Sequence, residues 1–318
     1  MSKAGREFLR QVARGRAVIA AVALLASSAA AHAQLVFDSP EKAAEALVAA
    51  AKTGEVPGIL QVLGPAARGI LDSGDPVADK NDRDQFVAGY EAKHQITPDG
   101  ADRAILVIGD KDWPLPIPLV KDKDKGKWRF DSVAGREEVL YRRVGENEDY
   151  AIEVALAYVD AQREYAAADP EGKGTHAYAQ RIVSHPGTKD GLFWESAPGE
   201  AESPIGDAIA EASSQGYRPG SGEPFHGYYY KLLTGQGAAA KGGQQDYIVK
   251  GKMIGGFGLV AYPARYGNSG VMTFIVNYEG TVFQKDLGPS TPYLAPRISR
   301  FNPDEGWVAA QPDPDTTQ

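Results

Sequence analysis

Hydrophobic positions mark the elements of this chain before any composition is counted. From Asn147 to about Ala168 they recur at helical spacing. Ala151, Val154, Ala155, Tyr158 and Tyr165 form one stripe, and Ile152, Leu156, Val159 and Ala166 form a second beside it. Asn147 fits an N-cap, Glu148 and Asp149 suit the positive end of the helix dipole, and Asp169-Pro170 ends the run. A helix apolar over so much of its girth needs a large cover. The strand-like region Tyr228–Asp286 supplies one.

The first half opens on Ser39-Pro40-Glu41, an N-cap followed by proline at N1, with Ala43, Ala46, Leu47 and Ala50 on one face and Gly54 as the stop. A short helix is expected at Ile59–Leu63. A third is expected from near Asp79 towards His94. Ala104–Ile108 is a short apolar strand. In Trp113-Pro-Leu-Pro-Ile-Pro-Leu-Val120, Trp113, Leu115, Ile117 and Leu119 share one face and three prolines share the other, which predicts an edge strand with no donors on its bare side. Asp122–Lys127 is a charged turn before Trp128-Arg-Phe130.

In the second half, Pro170–Phe225 is rich in Gly, Pro and small polar residues, with one short element expected near Thr175–Ile182 and another, at helical spacing, after Ser203-Pro204. Strands are expected at Tyr228–Thr234, Tyr247–Val249, Phe257–Tyr262, Val271–Tyr278 and Thr281–Asp286. Glu279-Gly280 reads as a tight two-residue hairpin. That register sets Val276 opposite Phe283 and Phe274 opposite Lys285, with Met272, Phe274, Val276 and Phe283 on the buried face. The fold class is α+β. N-terminal helices with a small antiparallel, cone-like sheet (35–145) precede a long helix packed on an antiparallel meander (146–308). An acidic tail from 309 to 318 is expected to be disordered.

Composition adds a compartment. Lys3, Arg6, Arg10, Arg14 and Arg16 precede an apolar run, Ala17–Ala26, too short to cross a bilayer, and Ala31-His32-Ala33 fits a cleavage site. Residues 1–33 therefore read as a signal peptide cut between Ala33 and Gln34, giving a periplasmic or secreted protein. The segment carries five basic residues and Glu7, a net +4, so removing it takes the formal charge from −8 to −12. Such a surface repels nucleic acid and anionic lipid. No later segment is long and apolar enough to span a membrane. There is no cysteine, which excludes disulfides, thiol nucleophiles and cysteine metal sites.

Several runs together resemble a bacterial family, number 2950 among the domains of unknown function. They are Phe37-Asp-Ser-Pro40, Ser73-Gly-Asp-Pro76, Trp113–Val120, His226-Gly-Tyr-Tyr-Tyr230, Ser269-Gly-Val-Met-Thr-Phe274 and Gln284-Lys-Asp-Leu-Gly288. The resemblance implies a secreted or periplasmic protein and supplies no catalytic residues. The order long helix, glycine-rich loop, Gly227–Thr234, Gly256–Tyr262, Gly270–Val276 and Glu279–Val282 resembles the globular part of type IV pilins and type II secretion pseudopilins. That implies a helix on a meander. Filament assembly is not implied, because the helix is internal and Glu153 and Asp160 interrupt its apolar surface.

Chemistry is sparse. There is no G-x-S-x-G and no H-E-x-x-H, and the Gly-x-Gly pairs at Gly172 and Gly235 lack a third glycine. His176 and His185 lie in the long loop with Asp190 and Glu195, while His94 and His226 lie apart. Asp169 with Glu171, and the Asp122-Lys-Asp124 turn, fall short of a calcium loop. Tyr228, Tyr229, Tyr230, Tyr247 and Tyr262 read as sheet packing before they read as a carbohydrate or peptide surface. No catalytic, cofactor or metal residue is assigned. A non-enzymatic binding or assembly module with an envelope protein or peptide partner is the leading expectation. The alternatives are a hydrolase or lyase using His185 or His226 with Asp190 in the 170–225 loop, and a small-ligand carrier in the N-terminal cone lined by Tyr90, Trp113 and Phe130.

Overall fold

The computed structural model describes residues 34–197 and 199–310. The proposed signal peptide and residues 311–318 lie outside the described residues.

Helix α1 (Pro40–Thr53) begins as its sequence dictates: the Ser39 hydroxyl accepts the Lys42 N–H at 3.3 Å, and Gly54 closes it at φ 75°. Helix α2 is Val56–Leu63 and α3 is the single turn Arg68–Leu71. Helix α4 is Pro76–Ala92. It starts three residues before the expected Asp79, because Asp75 accepts from the N–H groups of Val77 and Ala78 at 3.1 and 3.0 Å. His94 opens a strand that sequence reading missed.

The first sheet holds β1 (His94–Pro98), β2 (Arg103–Ile108), β3 (Trp113–Pro114), β4 (Leu119–Lys121) and β5 (Trp128–Phe130). Its order is β1-β2-β4-β5, with β3 also on β2. The proline run is thus not the edge strand expected. It breaks into β3 and β4, and β4 lies inside the sheet between β2 and β5. Leu115, Ile117 and Leu119 are buried as the alternation requires, and Trp113 is exposed. Their core includes Leu47, Ile59, Leu106 and Phe130.

Helix α5 runs from Ser132 to Ala168, 37 residues, capped by Asp131. The expected start at Asn147 is wrong because Asn147-Glu148-Asp149 imitates a cap in mid-helix. Two of those side chains serve the neighbouring sheet: Asn147 donates to the Ser269 carbonyl at 2.8 Å, and Glu148 accepts from the Val271 and Met272 N–H groups at 2.8 and 2.9 Å. The predicted boundary near Gly145 falls inside this helix.

Helix α6 (Gly206–Ser214) follows Ser203-Pro204, whereas Thr175–Ile182 is extended, with Tyr178 bridging Met253. The second large sheet is antiparallel, β15-β13-β12-β11-β6, formed by β6 (Tyr228–Leu233), β11 (Gly258–Pro263), β12 (Met272–Asn277), β13 (Phe283–Asp286) and β15 (Val308–Ala309). Strand β15 lies where the tail was expected to begin. Short strands β7 (Gly235–Gln236), β8 (Gln245–Asp246), β9 (Ile248–Val249), β10 (Lys252–Met253) and β14 (Arg300–Phe301), with the turn α7 (Thr291–Leu294), complete the chain. Among the described residues the class is α+β, with open sheets and no barrel.

Helix α5 packs on one face of this sheet through Ala151, Ala155, Tyr158, Val159 and Tyr165, against Phe257, Leu259, Phe274 and Val276. The buried Gln162 braces the loop beside it: its carboxamide donates to the Ala179 carbonyl and accepts the Ala179 N–H, both at 2.8 Å. The hairpin register differs by one residue from the expected one. Ile275 faces Phe283 and Phe274 faces Gln284. Gly280, at φ 84°, accommodates a third loop residue, and its N–H closes on Asn277 at 2.9 Å. A one-residue slip changes faces. Phe283 therefore joins Leu233, Val260, Ile275 and Phe301 on the opposite side, and Val282 takes its place towards α5.

Candidate functional site

The N-terminal end of α4 meets the second sheet where the chain turns into β6. Phe225 and Tyr228 exchange both main-chain hydrogen bonds, 2.8 and 3.1 Å, around the two residues His226 and Gly227. Both have positive φ, 46° and 73°, the signature of a type I′ hairpin turn. The signal was legible in principle: an X-Gly pair between β-type residues, as at Glu279-Gly280. Gly227 is also required by space, since a Cβ there would run into the Asn147 carboxamide.

Asp75 is the fixed point of this turn. It is fully buried, and while one carboxylate oxygen caps α4, the other accepts the Gly227 N–H at 2.9 Å and the Tyr217 hydroxyl at 3.1 Å. Tyr217 in turn accepts the His226 N–H at 3.3 Å. The imidazole of His226 stacks on Tyr150 of α5, with centroids 4.2 Å apart and planes at 14°. Burial lowers its pKa against the opposing pull of Asp75 and Glu211. A second tie lies beside it: Arg143 donates to Asn268 at 2.8 Å and to the Ile70 carbonyl at 2.6 Å. A cleft of about 490 Å³ opens against this joint, lined by Asp75, Lys80, Asn81, Gln215, Arg218 and Glu223 among others. Its cations are already spent, Lys80 on Asp84 at 2.5 Å and Arg218 on Glu223 at 2.6 Å.

Strand β6 leaves this turn as the edge of its sheet. Ala264 donates to the Gly227 carbonyl at 2.8 Å, which fixes the phase of the ladder. Tyr229, Lys231 and Leu233 turn their main-chain groups to β11. Tyr228, Tyr230, Leu232 and Thr234 turn theirs outward. Tyr228 is closed by Phe225. Thr234 donates to Ser299 at 3.0 Å and accepts from Tyr247 at 2.9 Å. Between them, the N–H and C=O groups of Tyr230 and Leu232 have no partner among the described residues. This gap is the feature of the chain best suited to take another strand.

The histidines singled out from sequence do not converge. His94 stacks on Tyr90 at 3.8 Å and bonds its carbonyl. His176 is exposed and bonds the Ala166 carbonyl at 2.8 Å. His185 does meet Asp190, Nδ1 to Oδ2 at 2.7 Å, yet its side chain is 58% exposed, and neither residue lines the cleft beside Asp75. Asp190 also orders its own loop, accepting from Thr188 at 2.7 Å and the His185 N–H at 2.9 Å. Asp169 accepts the Gly174 N–H at 2.6 Å, Glu171 pairs with Lys173, and Asp122 accepts from Asp124 and Lys125 in a solvent-facing turn. Glu195 is exposed. Among the described residues, no three His, Asp or Glu side chains are placed to hold a metal. Tyr228 and Tyr247 are wholly buried, as sheet packing requires. Phe130 and Tyr90 lie in the buried core of the first sheet.

Neither the curated proteins nor the solved structures give a match. A family model does, over residues 34–310, and the chain belongs to the family it describes, a protein of unknown function (DUF2950).

Proposed function

We propose that this chain is exported, is cut after Ala33, and works in the periplasm or outside the cell as a binding or assembly module rather than a catalyst. Its partner is an extended segment of an envelope protein or peptide, added as a strand to the open edge of β6. The observation that carries this reading is the pair of main-chain positions, Tyr230 and Leu232, that are unpartnered among the described residues between two closed ends. Two N–H and two C=O groups there accept about three residues of added strand. Helix α5 across β11 and β12 supports a pilin-like arrangement for this half. The export half of the reading draws support from the family match, which starts at Gln34, directly after the Ala31-His-Ala33 pattern. The surplus of acidic residues disfavours nucleic acid. Among the described residues no helix is long and apolar enough to cross a membrane.

Crosslinking in intact producing cells tests the edge. Leu232→Pro removes an outward donor that no ladder bond uses, so the inner pairing to β11 survives. The native chain should give a crosslinked partner that the variant loses while still melting cooperatively. A product retained by the variant, or none from either, would count against strand addition. N-terminal sequencing tests export separately: Gln34 is expected, and a membrane-held chain starting at Met1 would reject it.

A further inference from the structure

A second groove carries an inference of its own. It has a volume of about 390 Å³ and lies on the face of the second sheet opposite α5. Ile275 and Ile298 form its apolar floor, with Leu287, Leu294 and Trp307 around them. Leu294 is 49% exposed at its mouth, and Tyr293 next to it is 70% exposed, so large apolar surface is left open to water here.

The charges around this floor are unequally committed. Arg300 places Nη2 on Asp246 at 2.5 Å and Nη1 on the carbonyls of Gln236 and Gln245 at 3.2 and 3.1 Å. Asp304 takes the Asn302 amide at 2.9 Å and faces Lys285 at 3.8 Å. Lys285 also lies over the Trp307 ring and donates to the Glu305 carbonyl. Arg297 alone in the groove has no carboxylate within ion-pair distance among the described residues, and its one hydrogen bond goes to the Tyr293 carbonyl of its own turn. A guanidinium has five donors in a fixed fork that matches a carboxylate. On a chain of net charge −8, one uncommitted arginine beside an apolar floor is a specific complement.

We infer that this groove binds the C-terminal end of a partner peptide whose last residue is apolar: the side chain enters between Leu287, Leu294 and Trp307, and the terminal carboxylate lies on Arg297. One free cation matches one negative charge. A run of acidic residues fits worse, because Asp304 lines the groove and Asp246 already holds Arg300. The site shares Ser299 with the closed end of the β6 edge, but neither Tyr230 nor Leu232 lines it.

Fluorescence anisotropy on the full chain tests it, with a labelled octapeptide ending in leucine as the free acid and as the C-terminal amide, and with decanoate as competitor. The free acid should bind, and amidation should weaken it at least tenfold. Arg297→Gln should weaken the free acid by a similar factor and leave the amide unchanged, with Arg297→Lys in between because it keeps charge and loses the fork. Arg297 is exposed and bonds only within its own turn, so these variants should melt as the native chain does. Equal binding of acid and amide, no binding at millimolar peptide, or indifference to Arg297→Gln would overturn the inference. So would Arg297-dependent binding of decanoate without binding of the peptide, which would make this a site for lipid-like acids.

Discussion

Strand β2 of the first sheet alternates: Ala104, Leu106 and Ile108 are buried, while Arg103, Ile105 and Val107 turn to the open side. Strand β12 of the second sheet is buried without interruption from Thr273 to Asn277. In sequence the two look alike, each a short run dominated by apolar residues. The difference comes from what lies outside them. The first sheet has one apolar core against α1, α2 and α4. The second has α5 on one face and the 288–307 segment, with Leu233, Val260 and Phe301, on the other. A strand covered twice must carry apolar residues at both phases, and its polar members become liabilities. Thr273 and Asn277 each leave a buried polar atom without a hydrogen bond among the described residues.

Neighbouring substitutions break or confirm this contrast most sharply. Phe274→Ala and Ile275→Ala each remove a fully buried side chain, one towards α5 and one towards the far face, and each should cost about 3 kcal/mol or more. In β2 the same test should alternate, with Leu106→Ala costing about 3 kcal/mol and Val107→Ala about 1 kcal/mol. Urea unfolding of the four variants decides it. Equal losses at Leu106 and Val107 would mean that the first sheet is covered on both faces too.

The next largest effect lies where α4 is joined to the second sheet. Asp75→Ala removes the cap of α4 and leaves the Gly227 N–H and the Tyr217 hydroxyl without an acceptor, for a total of about 3 kcal/mol. Tyr217→Phe should cost about 1 kcal/mol, and the double variant should fall short of the sum, because both act on one network. Additive losses would show that Asp75 serves only its own helix.

How much of this was legible in the sequence follows the range of each interaction. The cap at Ser39, the stop at Gly54 and the apolar stripe of Ala151–Tyr165 are local, and each appears where the spacing puts it. The first half of α5 was hidden because Arg136, Glu137, Glu138 and Arg142 leave it wet, and because Asn147 and Glu148 offer a false cap whose real partners lie more than 120 residues away. The hairpin slip turned on one left-handed glycine. The joint was out of reach: Asp75 and Gly227 are 152 residues apart, and the donor is a main-chain N–H that no residue type announces. From sequence, β6 is only one strand of a meander. Which two of its residues stay unpaired depends on the turn at His226 and on Ser299.

Acidification should sharpen the same joint with a smaller effect. Burial holds His226 below the usual imidazole range, while Asp75 and Glu211 face it and oppose the shift, and Tyr150 covers the ring. A fold that keeps an imidazole neutral loses stability wherever the unfolded chain takes up the proton. Stability should therefore fall as pH drops below about 6.5 and level off once the folded form is protonated as well. Asp79 acts in the opposite sense at lower pH, since burial raises its pKa and its protonation favours the fold. The comparison to make is native against His226→Asn, a residue that tolerates the left-handed backbone. The variant should lose the fall that sets in below about pH 6.5 and keep the rest. An unchanged slope would place its origin elsewhere than the joint.

The smallest effect is expected outside both layers, at His185 and Asp190. Burial pushes Asp190 up, but hydrogen bonds from Thr188 and His185 outweigh it and hold the carboxyl down to about 2. Its contribution is therefore complete above about pH 4 and is lost as pH falls towards 2. Because the His185 ring is largely in water, His185→Ala should change stability by less than about 1 kcal/mol at neutral pH. Arg181 remains 3.4 Å from the same carboxylate and Thr188 still donates to it, so Asp190 should rise only part of the way towards an ordinary carboxyl, as an NMR titration would show. A loss of 2 kcal/mol or more would tie this loop to the α5 core. That route exists: Tyr165 donates to the Lys189 carbonyl at 2.6 Å, next to Asp190. The size of the loss thus measures how far the α5-covered face of the second sheet extends into the loop that precedes it.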